Sequence, residues 1–134
     1  MKTLKFLMII GVICVGLMAF TSLNIDQEPW KVPAKYEKMT NPEEASKENI
    51  NIGKSMYSKH CKSCHGKEGF GDGSKADEVE GELGDFSSEE FQAQSDGALF
   101  YKSYIGRDDM PSFEKKMSEE DMWLTVHYMR TLAE

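Results

Sequence analysis

The sequence predicts an all-α protein with three main helices and several short ones. Two observations favour this class. Apolar residues recur every three or four positions in several segments, which is the spacing of one helix face. None of the 134 residues lies in a stretch where Val, Ile and Thr alternate with polar residues as in a strand. A chain of this length has room for one compact domain.

The first 23 residues are predicted to be a signal peptide or a membrane anchor. Lys2 and Lys5 precede an uncharged, apolar run over residues 6–20, which is the pattern of an export segment. As a helix this run would be about 22 Å long, and extension to Ile25 would give about 30 Å, the thickness of the hydrocarbon core. Cleavage and retention both stay open. In either case the rest of the chain is expected to be exported.

Residues 24–45 are predicted to be a polar linker. The segment contains Pro29, Pro33 and Pro42, three of the four prolines of the chain. Prolines stiffen such a segment into extended pieces. The folded domain is then expected to span residues 46–134, which is small enough that its core often needs a covalent or metal staple.

The first main helix is predicted from Glu43 to His60, with Ser46 or Asn49 as its N-cap. Gly53 and Tyr57 are four residues apart and therefore share one face of this helix. Glycine is costly inside a helix. Its presence predicts that another helix packs closely against that face.

The most informative motif follows this helix directly. Cys61, Cys64 and His65 form the pattern C-x-x-C-H, which attaches c-type haem. The two thiols add to the two vinyl groups of the porphyrin, and the adjacent histidine becomes the proximal iron ligand. We therefore predict one covalent haem c, with Cys61 and Cys64 as its thioethers and His65 on the iron.

Three other interpretations of this motif are weaker. A zinc site needs about four ligands, and besides the motif only His60 and His127 are available, without a second cysteine pair. A thioredoxin-type dithiol would lie within a βαβ unit, and no strands are predicted. A disulfide between the two cysteines would be strained by the two-residue loop between them.

The second main helix is predicted from Gly97 to Ile105. Asp96 is its expected N-cap, and Gly106 is expected to end it. A shorter helix is predicted around residues 89–94. The last main helix is predicted to begin after Ser118 and to be largely buried, because apolar residues cover much of its surface. These are Met122, Trp123, Leu124, Val126, Tyr128, Met129, Leu132 and Ala133.

Met110 is the predicted sixth ligand of the iron. It lies in a loop over residues 106–111 and follows His65 by 45 residues, which is enough chain to return on the opposite face of a haem. Pro111 restricts Met110 to extended backbone and so fixes the direction of the thioether. Arg107, in the same loop, is a candidate contact for a haem propionate, with a plain exposed arginine as the alternative.

The charge of the chain excludes one class of partner. Sixteen Lys and Arg against 23 Asp and Glu give a net charge of −7, whereas a nucleic-acid-binding protein needs a basic surface. The distribution is uneven, since residues 54–67 contain only lysines as charged residues and residues 77–90 contain seven acids and no base. We interpret this as a dipole that orients an acidic partner toward the lysines, with a plain solvated acidic loop as the alternative.

Taken together, these motifs resemble class I monohaem cytochromes c of bacteria. The likeness covers residues 50–134 and rests on Gly53-x-x-x-Tyr57, Cys61-x-x-Cys64-His65-Gly66, Asp96-Gly97-x-Leu99-Phe100, Gly106-x-x-x-Met110-Pro111 and Trp123-x-x-x-x-Tyr128. It implies the class I cytochrome c fold, in which three main helices and several short ones wrap around a covalently bound haem. It also implies that the first and last helices cross and that His65 and Met110 hold the iron.

One feature departs from this family. Its members commonly have a proline after the attachment motif, whose carbonyl orients the proximal imidazole, and residues 66–109 contain none. We expect another backbone carbonyl, near residues 69–73, to fix the tautomer of His65 instead.

The expected function is one-electron transfer without enzyme activity, because an iron with both axial positions filled has no open site for a small molecule. The expected partners are redox proteins that bind transiently, in the periplasm or at the periplasmic face of the bacterial cytoplasmic membrane. Membrane contact is expected only through an uncleaved N-terminal segment. The alternatives are a haem subunit of a larger membrane respiratory complex, or a haem enzyme or gas-binding protein in which Met110 is labile.

Overall fold

The structure is a computed structural model and describes residues 29–133. Within that range it contains six α-helices and a short 3₁₀ turn and lacks β-strands, which confirms the all-α prediction. The helices are α1 (Ala34–Glu37), α2 (Lys47–His60), α3 (Lys62–His65), α4 (Glu89–Gln92), α5 (Asp96–Ile105) and α6 (Glu119–Arg130); the 3₁₀ turn is Ala76–Glu78.

Helix α2 begins four residues later than the predicted start at Glu43. Ser46 is the N-cap, and its hydroxyl accepts a hydrogen bond from the backbone N–H of Asn49 at 3.2 Å. The side-chain amide of Asn49 donates to the carbonyl of Glu44 at 2.8 Å. These two bonds hold the preceding residues in a turn, so the helix starts only after the cap.

Gly53 lies where α2 crosses α6. A Cβ built on Gly53 would lie 2.0 Å from the carbonyl oxygen of Leu124. Only a residue without a side chain lets the two backbones approach this closely. The predicted close contact of a second helix at this face of α2 is confirmed.

Helix α5 has a different N-cap from the predicted one. Ser95 caps it by accepting a hydrogen bond from the N–H of Ala98 at 3.1 Å. Asp96 is instead the first helical residue, and its carboxylate pairs with the guanidinium of Arg130 at 2.7 Å. This ion pair ties the start of α5 to the end of α6, which explains why Asp96 lies inside the helix.

Helix α6 begins after Ser118, as predicted, and Ser118 accepts a hydrogen bond from the N–H of Asp121 at 3.0 Å. The helix contributes to both groups of buried side chains. The first group is Leu99, Phe100, Phe113, Met117, Met122, Trp123 and Val126. The second is Tyr57, Cys61, Phe86, Tyr128 and Met129, and it therefore contains one cysteine of the attachment motif.

Residues 29–45, which we call the N-terminal segment, lie against the helices. The ring of Tyr36 packs on Tyr101, with ring centroids 4.6 Å apart. The side-chain amide of Asn41 donates to the carbonyl of Trp123 at 2.9 Å. The prolines predicted an extended linker, whereas the described part of this segment packs on the helices. The ring of Tyr36 and the amide of Asn41 make the contacts that hold it there.

The predicted signal or anchor, residues 1–23, lies outside the described residues. Among the residues that the structure describes, no helix has both the length and the apolar character needed to cross a membrane.

Candidate haem site

The two cysteines of the motif lie at the junction of α2 and α3. Cys61 is buried and Cys64 is half-buried, and neither forms a disulfide. Burial, together with the neighbouring Cys64, raises the pKa of the Cys61 thiol to about 12. The two sulfurs are not bonded to each other, so both are available for covalent attachment to haem.

The zinc interpretation lacks its ligand set in the part of the chain that the structure describes. Over residues 29–133, no three His, Cys, Asp or Glu side chains are grouped so that they could hold a metal ion. The dithiol interpretation lacks its βαβ unit over the same range.

His65 is oriented by a backbone carbonyl. Its Nδ1 lies 3.1 Å from the carbonyl oxygen of Leu83. Since a carbonyl can only accept, Nδ1 carries the proton and Nε2 keeps the lone pair with which an imidazole binds iron. Burial lowers the pKa of His65, and the bond to Leu83 opposes this only in part. The imidazole is thus held neutral, the form that binds a metal.

The carbonyl that orients His65 is that of Leu83, and the expectation of residues 69–73 is wrong. The carbonyls of Gly69 and Gly73 are engaged elsewhere, by the backbone N–H groups of Phe86 and Ala76 at 2.9 Å each. Leu83 reaches His65 because the chain folds back within the acidic segment of residues 77–90. The ring of Phe86 then packs on the imidazole, with centroids 4.7 Å apart.

Tyr57 fixes the chain immediately after His65. Its hydroxyl donates to the carbonyl of Gly66 at 2.9 Å, and its side chain is 1% exposed. Its ring lies 5.2 Å from that of Tyr128. Burial is the main cause of the raised pKa of Tyr57, which lies well above the ordinary value of 10.0.

Replacement of Tyr57 by Phe is expected to lower the free energy of unfolding by about 1–2 kcal/mol at neutral pH, because the Gly66 carbonyl loses its donor. The raised folded-state pKa stabilises the fold below pH 10.0, and this contribution is lost as the pH rises above that value. Above pH 10, the free energy of unfolding of the wild type should therefore fall by up to about 1.4 kcal/mol per pH unit more than that of the variant. Denaturant titrations at pH 7 and above 10 measure both effects. Tyr101→Phe is the control, and equal alkaline slopes for Tyr57→Phe and the wild type would contradict the prediction.

Met110 lies in a tight loop formed by residues 106–111. The backbones of Arg107 and Met110 exchange two hydrogen bonds of 2.9 Å. Gly106 and Asp108 have positive φ angles of 75° and 53°. A Cβ on Gly106 would lie 2.5 Å from the Met110 carbonyl oxygen, so glycine is needed for the turn. The loop thus fixes the backbone of the half-buried Met110.

The loop with Met110 and the chain that orients His65 meet at residues 80–83. The carboxylate of Asp109 accepts a hydrogen bond from the backbone N–H of Glu80 at 3.0 Å. Three residues later the Leu83 carbonyl meets His65. The same short stretch therefore contacts both regions that were predicted to hold the iron.

Arg107 lies against the N-terminal segment. Its guanidinium is 4.6 Å from the centroid of the Trp30 ring and 3.2 Å from the carboxylate of Asp108. Its predicted contact with a haem propionate stays a prediction. Trp30 did not emerge as a functional residue from the sequence, because its contact depends on the packing of the N-terminal segment.

The charged residues near the motif are on the surface. Lys54, Lys59, Lys62 and Lys67 are all exposed, and Lys67 pairs with Glu68 at 2.9 Å. The seven acids of residues 77–90 are exposed as well. The surface therefore carries a basic region beside the attachment motif and an acidic region on the segment that follows it.

The residues of the motif fit a covalent haem. Cys61 and Cys64 are unpaired thiols in the required spacing, and His65 presents a neutral imidazole with Nδ1 already engaged. The crossing of α2 and α6 at Gly53 is the helix contact that the resemblance implies.

The chain is similar to known c-type cytochromes. Residues 48–129 match the family model described as cytochrome C oxidase, cbb3-type, subunit III. A search of the curated proteins finds none that matches.

Among solved structures, a chain of the reducing HAO-like protein complex Kustc0457/Kustc0458 of Kuenenia stuttgartiensis is 31% identical, with a TM-score of 0.63. The match covers 69% of this chain and 47% of that one, so the chain spans about half the length of this relative. The c-type cytochrome KustC0563 is 26% identical with a TM-score of 0.54, over 61% of this chain and 98% of that one.

The helical architecture is that of a class I cytochrome c, and its cofactor is a covalently bound haem c that carries out electron transfer. The family model covers more than half of the chain and includes the attachment motif, α5 and nearly all of α2 and α6. The chain therefore belongs to the family of cytochrome c oxidase, cbb3-type, subunit III, as a monohaem c-type cytochrome domain.

Proposed function

We propose that this chain is a one-electron carrier in which His65 and Met110 are the axial ligands of the haem iron. When bound, the haem supplies the exchange of one electron between Fe(II) and Fe(III). The observation that carries the proposal is the contact of His65 Nδ1 with the Leu83 carbonyl. It leaves Nε2 as the nitrogen for iron and fixes the plane of the ring.

The choice of Met110 is supported by the positions of the other described methionines. Met117, Met122 and Met129 are at most 6% exposed within the two core groups, and Met56 packs against the first group. Met39 lies in the N-terminal segment, beside Gly97. Packing in or against the core groups accounts for four of these methionines, and the exposed Met39 lies outside the folded helices. Met110 lies in a polar loop whose backbone is fixed.

His65 and Met110 would together hold the iron, and the haem would then supply electron transfer. A thioether favours Fe(II) more than a second imidazole does, so His65 and Met110 together give a relatively high reduction potential. Neither ligand has to leave during electron transfer. The gas-binding and enzyme alternatives both require that Met110 releases the iron.

Spectroscopy of the wild-type holoprotein tests this ligation. We expect the oxidised protein to show the weak red absorption band of a methionine–iron bond, and the reduced protein not to bind carbon monoxide at neutral pH. Acid acetone should leave the colour on the protein, because the haem is attached through Cys61 and Cys64. Rapid binding of carbon monoxide, or the absence of the red band, would overturn the proposal.

A role as the haem subunit of a larger membrane respiratory complex is the second candidate. The family description, an oxidase subunit, favours it, as does the neighbour that is a chain of a protein complex. Mild detergent extraction followed by size-exclusion chromatography distinguishes the two. A permanent subunit elutes with its complex, whereas a transient carrier elutes alone.

We also propose that the domain acts in the periplasm or at the periplasmic face of the bacterial cytoplasmic membrane, with residues 1–23 as signal peptide or anchor. The apolar run behind Lys2 and Lys5 supports this. Fractionation of cells that express the full chain, with detection of covalent haem in each fraction, tests the location. Haem-loaded protein in the cytoplasmic fraction would contradict it.

We propose that the partners are redox proteins with an acidic surface, which bind transiently beside Lys54, Lys59, Lys62 and Lys67. All four lysines are exposed around the attachment motif. The basic region around the attachment motif and the acidic region on residues 77–90 give the surface an uneven charge, which orients an approaching partner. Small interfaces of this kind allow rapid release.

The rate of electron transfer to such a partner is expected to fall about tenfold from low to high ionic strength, because salt screens the attraction. Lys62→Glu should lower the low-salt rate and flatten its salt dependence. Lys38→Glu, the same charge change in the N-terminal segment, is the control and should have a smaller effect. Stopped-flow mixing with an acidic redox protein measures the rates. Rates that do not change with ionic strength would reject the steering.

A further inference from the structure

We infer that Trp30 is a positioning residue for the loop of Met110: its ring holds the guanidinium of Arg107, whose backbone is paired with that of Met110. This inference rests on the proposed ligation by Met110. It gives the N-terminal segment a role in the redox site, although that segment precedes the matched part of the family model.

The backbone of Met110 is coupled to that of Arg107. Two backbone hydrogen bonds of 2.9 Å, one in each direction, join these residues. A displacement of the Arg107 backbone therefore moves the Met110 backbone as well.

The guanidinium of Arg107 in turn contacts the ring of Trp30. The guanidinium lies 4.6 Å from the ring centroid, within the range of a cation–π contact. The Arg107 side chain is 28% exposed, so the contact is partly desolvated and stronger than a fully exposed one. Trp30 and Arg107 also line one cleft together with Tyr101, the α5 residue on which Tyr36 packs.

Trp30 belongs to the N-terminal segment, and this segment is itself held against α5. The Tyr36 ring packs on Tyr101 of α5. A Cβ on Gly97 would lie 1.9 Å from the Tyr36 carbonyl oxygen, so the segment lies directly on the backbone of α5. Helix α5 runs straight into the loop of Met110. The segment therefore contacts the loop through Trp30 and Arg107, and Glu80 contacts it through Asp109.

Four variants of the full-length holoprotein test the inference: Trp30→Ala, Trp30→Phe, Arg107→Gln and the double variant with Trp30→Ala and Arg107→Gln. In Trp30→Ala the red methionine–iron band should weaken and the reduction potential should fall. The fraction of reduced protein that binds carbon monoxide should rise about fivefold, the factor expected for loss of one partly exposed cation–π contact. Trp30→Phe keeps an aromatic face and should recover most of the wild-type values.

The double variant shows whether Trp30 acts through Arg107. If it does, the effects of the two single changes are not additive, and the double variant resembles Arg107→Gln. Lys35→Ala is the matched control, because it removes another cation–π contact of the same segment, 4.5 Å from the Tyr36 ring centroid. It should leave the band, the potential and carbon monoxide binding unchanged.

The outcomes separate this inference from the proposed function. A wild type without the red band means that the ligation by Met110 is wrong. A wild type with the band, and a Trp30→Ala variant that keeps the band, the potential and the carbon monoxide resistance, means that the positioning role is wrong. Additive effects in the double variant also overturn it. If Trp30→Ala yields too little holoprotein, Arg107→Gln gives the same comparison with the wild type, because it removes the same cation–π contact.

Discussion

Replacement of Met110 by Ala is expected to lower the reduction potential and to open the iron to carbon monoxide. Without the thioether, Fe(II) loses the ligand that favours it over Fe(III). We expect a fall on the order of 100 mV, a fraction of the roughly 0.8 V range that axial ligands set. Potentiometric titration measures the fall, and the spectrum of the reduced variant under carbon monoxide measures the opening.

Met117→Ala is the control for this change. Met117 is buried in the first core group, so its truncation should cost about 2–5 kcal/mol of stability and should leave the red band in place. If instead Met110→Ala keeps the band and truncation of a different methionine removes it, then Met110 is not the ligand. The pair of variants separates a ligand from a core residue by spectrum and not by stability.

The Gly53→Ala variant is expected to have the largest effect on the fold. The added Cβ would lie 2.0 Å from the carbonyl oxygen of Leu124 and 2.6 Å from its carbonyl carbon. These are backbone atoms, which cannot rotate away as a side chain can. Helices α2 and α6 must therefore separate, and we expect a loss of about 3 kcal/mol or more. Denaturant unfolding of the holoprotein measures it.

Gly84→Ala is the control for the Gly53 variant. Gly84 has a φ of +70° and no atom within 4 Å of a built Cβ, so its replacement costs only the backbone strain, about 1–2 kcal/mol. The comparison separates helix contact from the general cost of replacing a glycine. A Gly53→Ala variant as stable as Gly84→Ala would show that the helices tolerate a wider crossing.

Much of the fold could be predicted from local patterns. Ser46 and Ser118 cap the helices they precede, because a cap depends only on residues within one turn. Gly53 indicated the helix contact because glycine is otherwise unfavourable in a helix. The packing of the N-terminal segment could not be predicted, since it depends on Tyr36 and Asn41 meeting residues of α5 and α6 that are far away in the sequence.

The candidate site also has features that depend on local sequence and features that depend on contacts between distant residues. The sequence motif predicts the chemistry of Cys61, Cys64 and His65, because these residues lie within five positions of one another. The role of Leu83 could not be predicted in this way. Leu83 acts through its backbone carbonyl, a group that every residue has, and it is 18 residues away from His65. Trp30 was missed for a related reason, since only the folded chain brings it to Arg107.

The stretch from Glu80 to Leu83 has a further consequence, because it lies within the seven carboxylates of residues 77–90. Mutual repulsion among these carboxylates opposes the folded path by which Leu83 reaches the imidazole of His65. Dissolved ions weaken this repulsion beyond about 10 Å at 0.1 M. Added electrolyte therefore stabilises the contact between the Leu83 carbonyl and the His65 imidazole. It also slows the approach of a partner. The melting temperature should rise with salt concentration while the association rate falls.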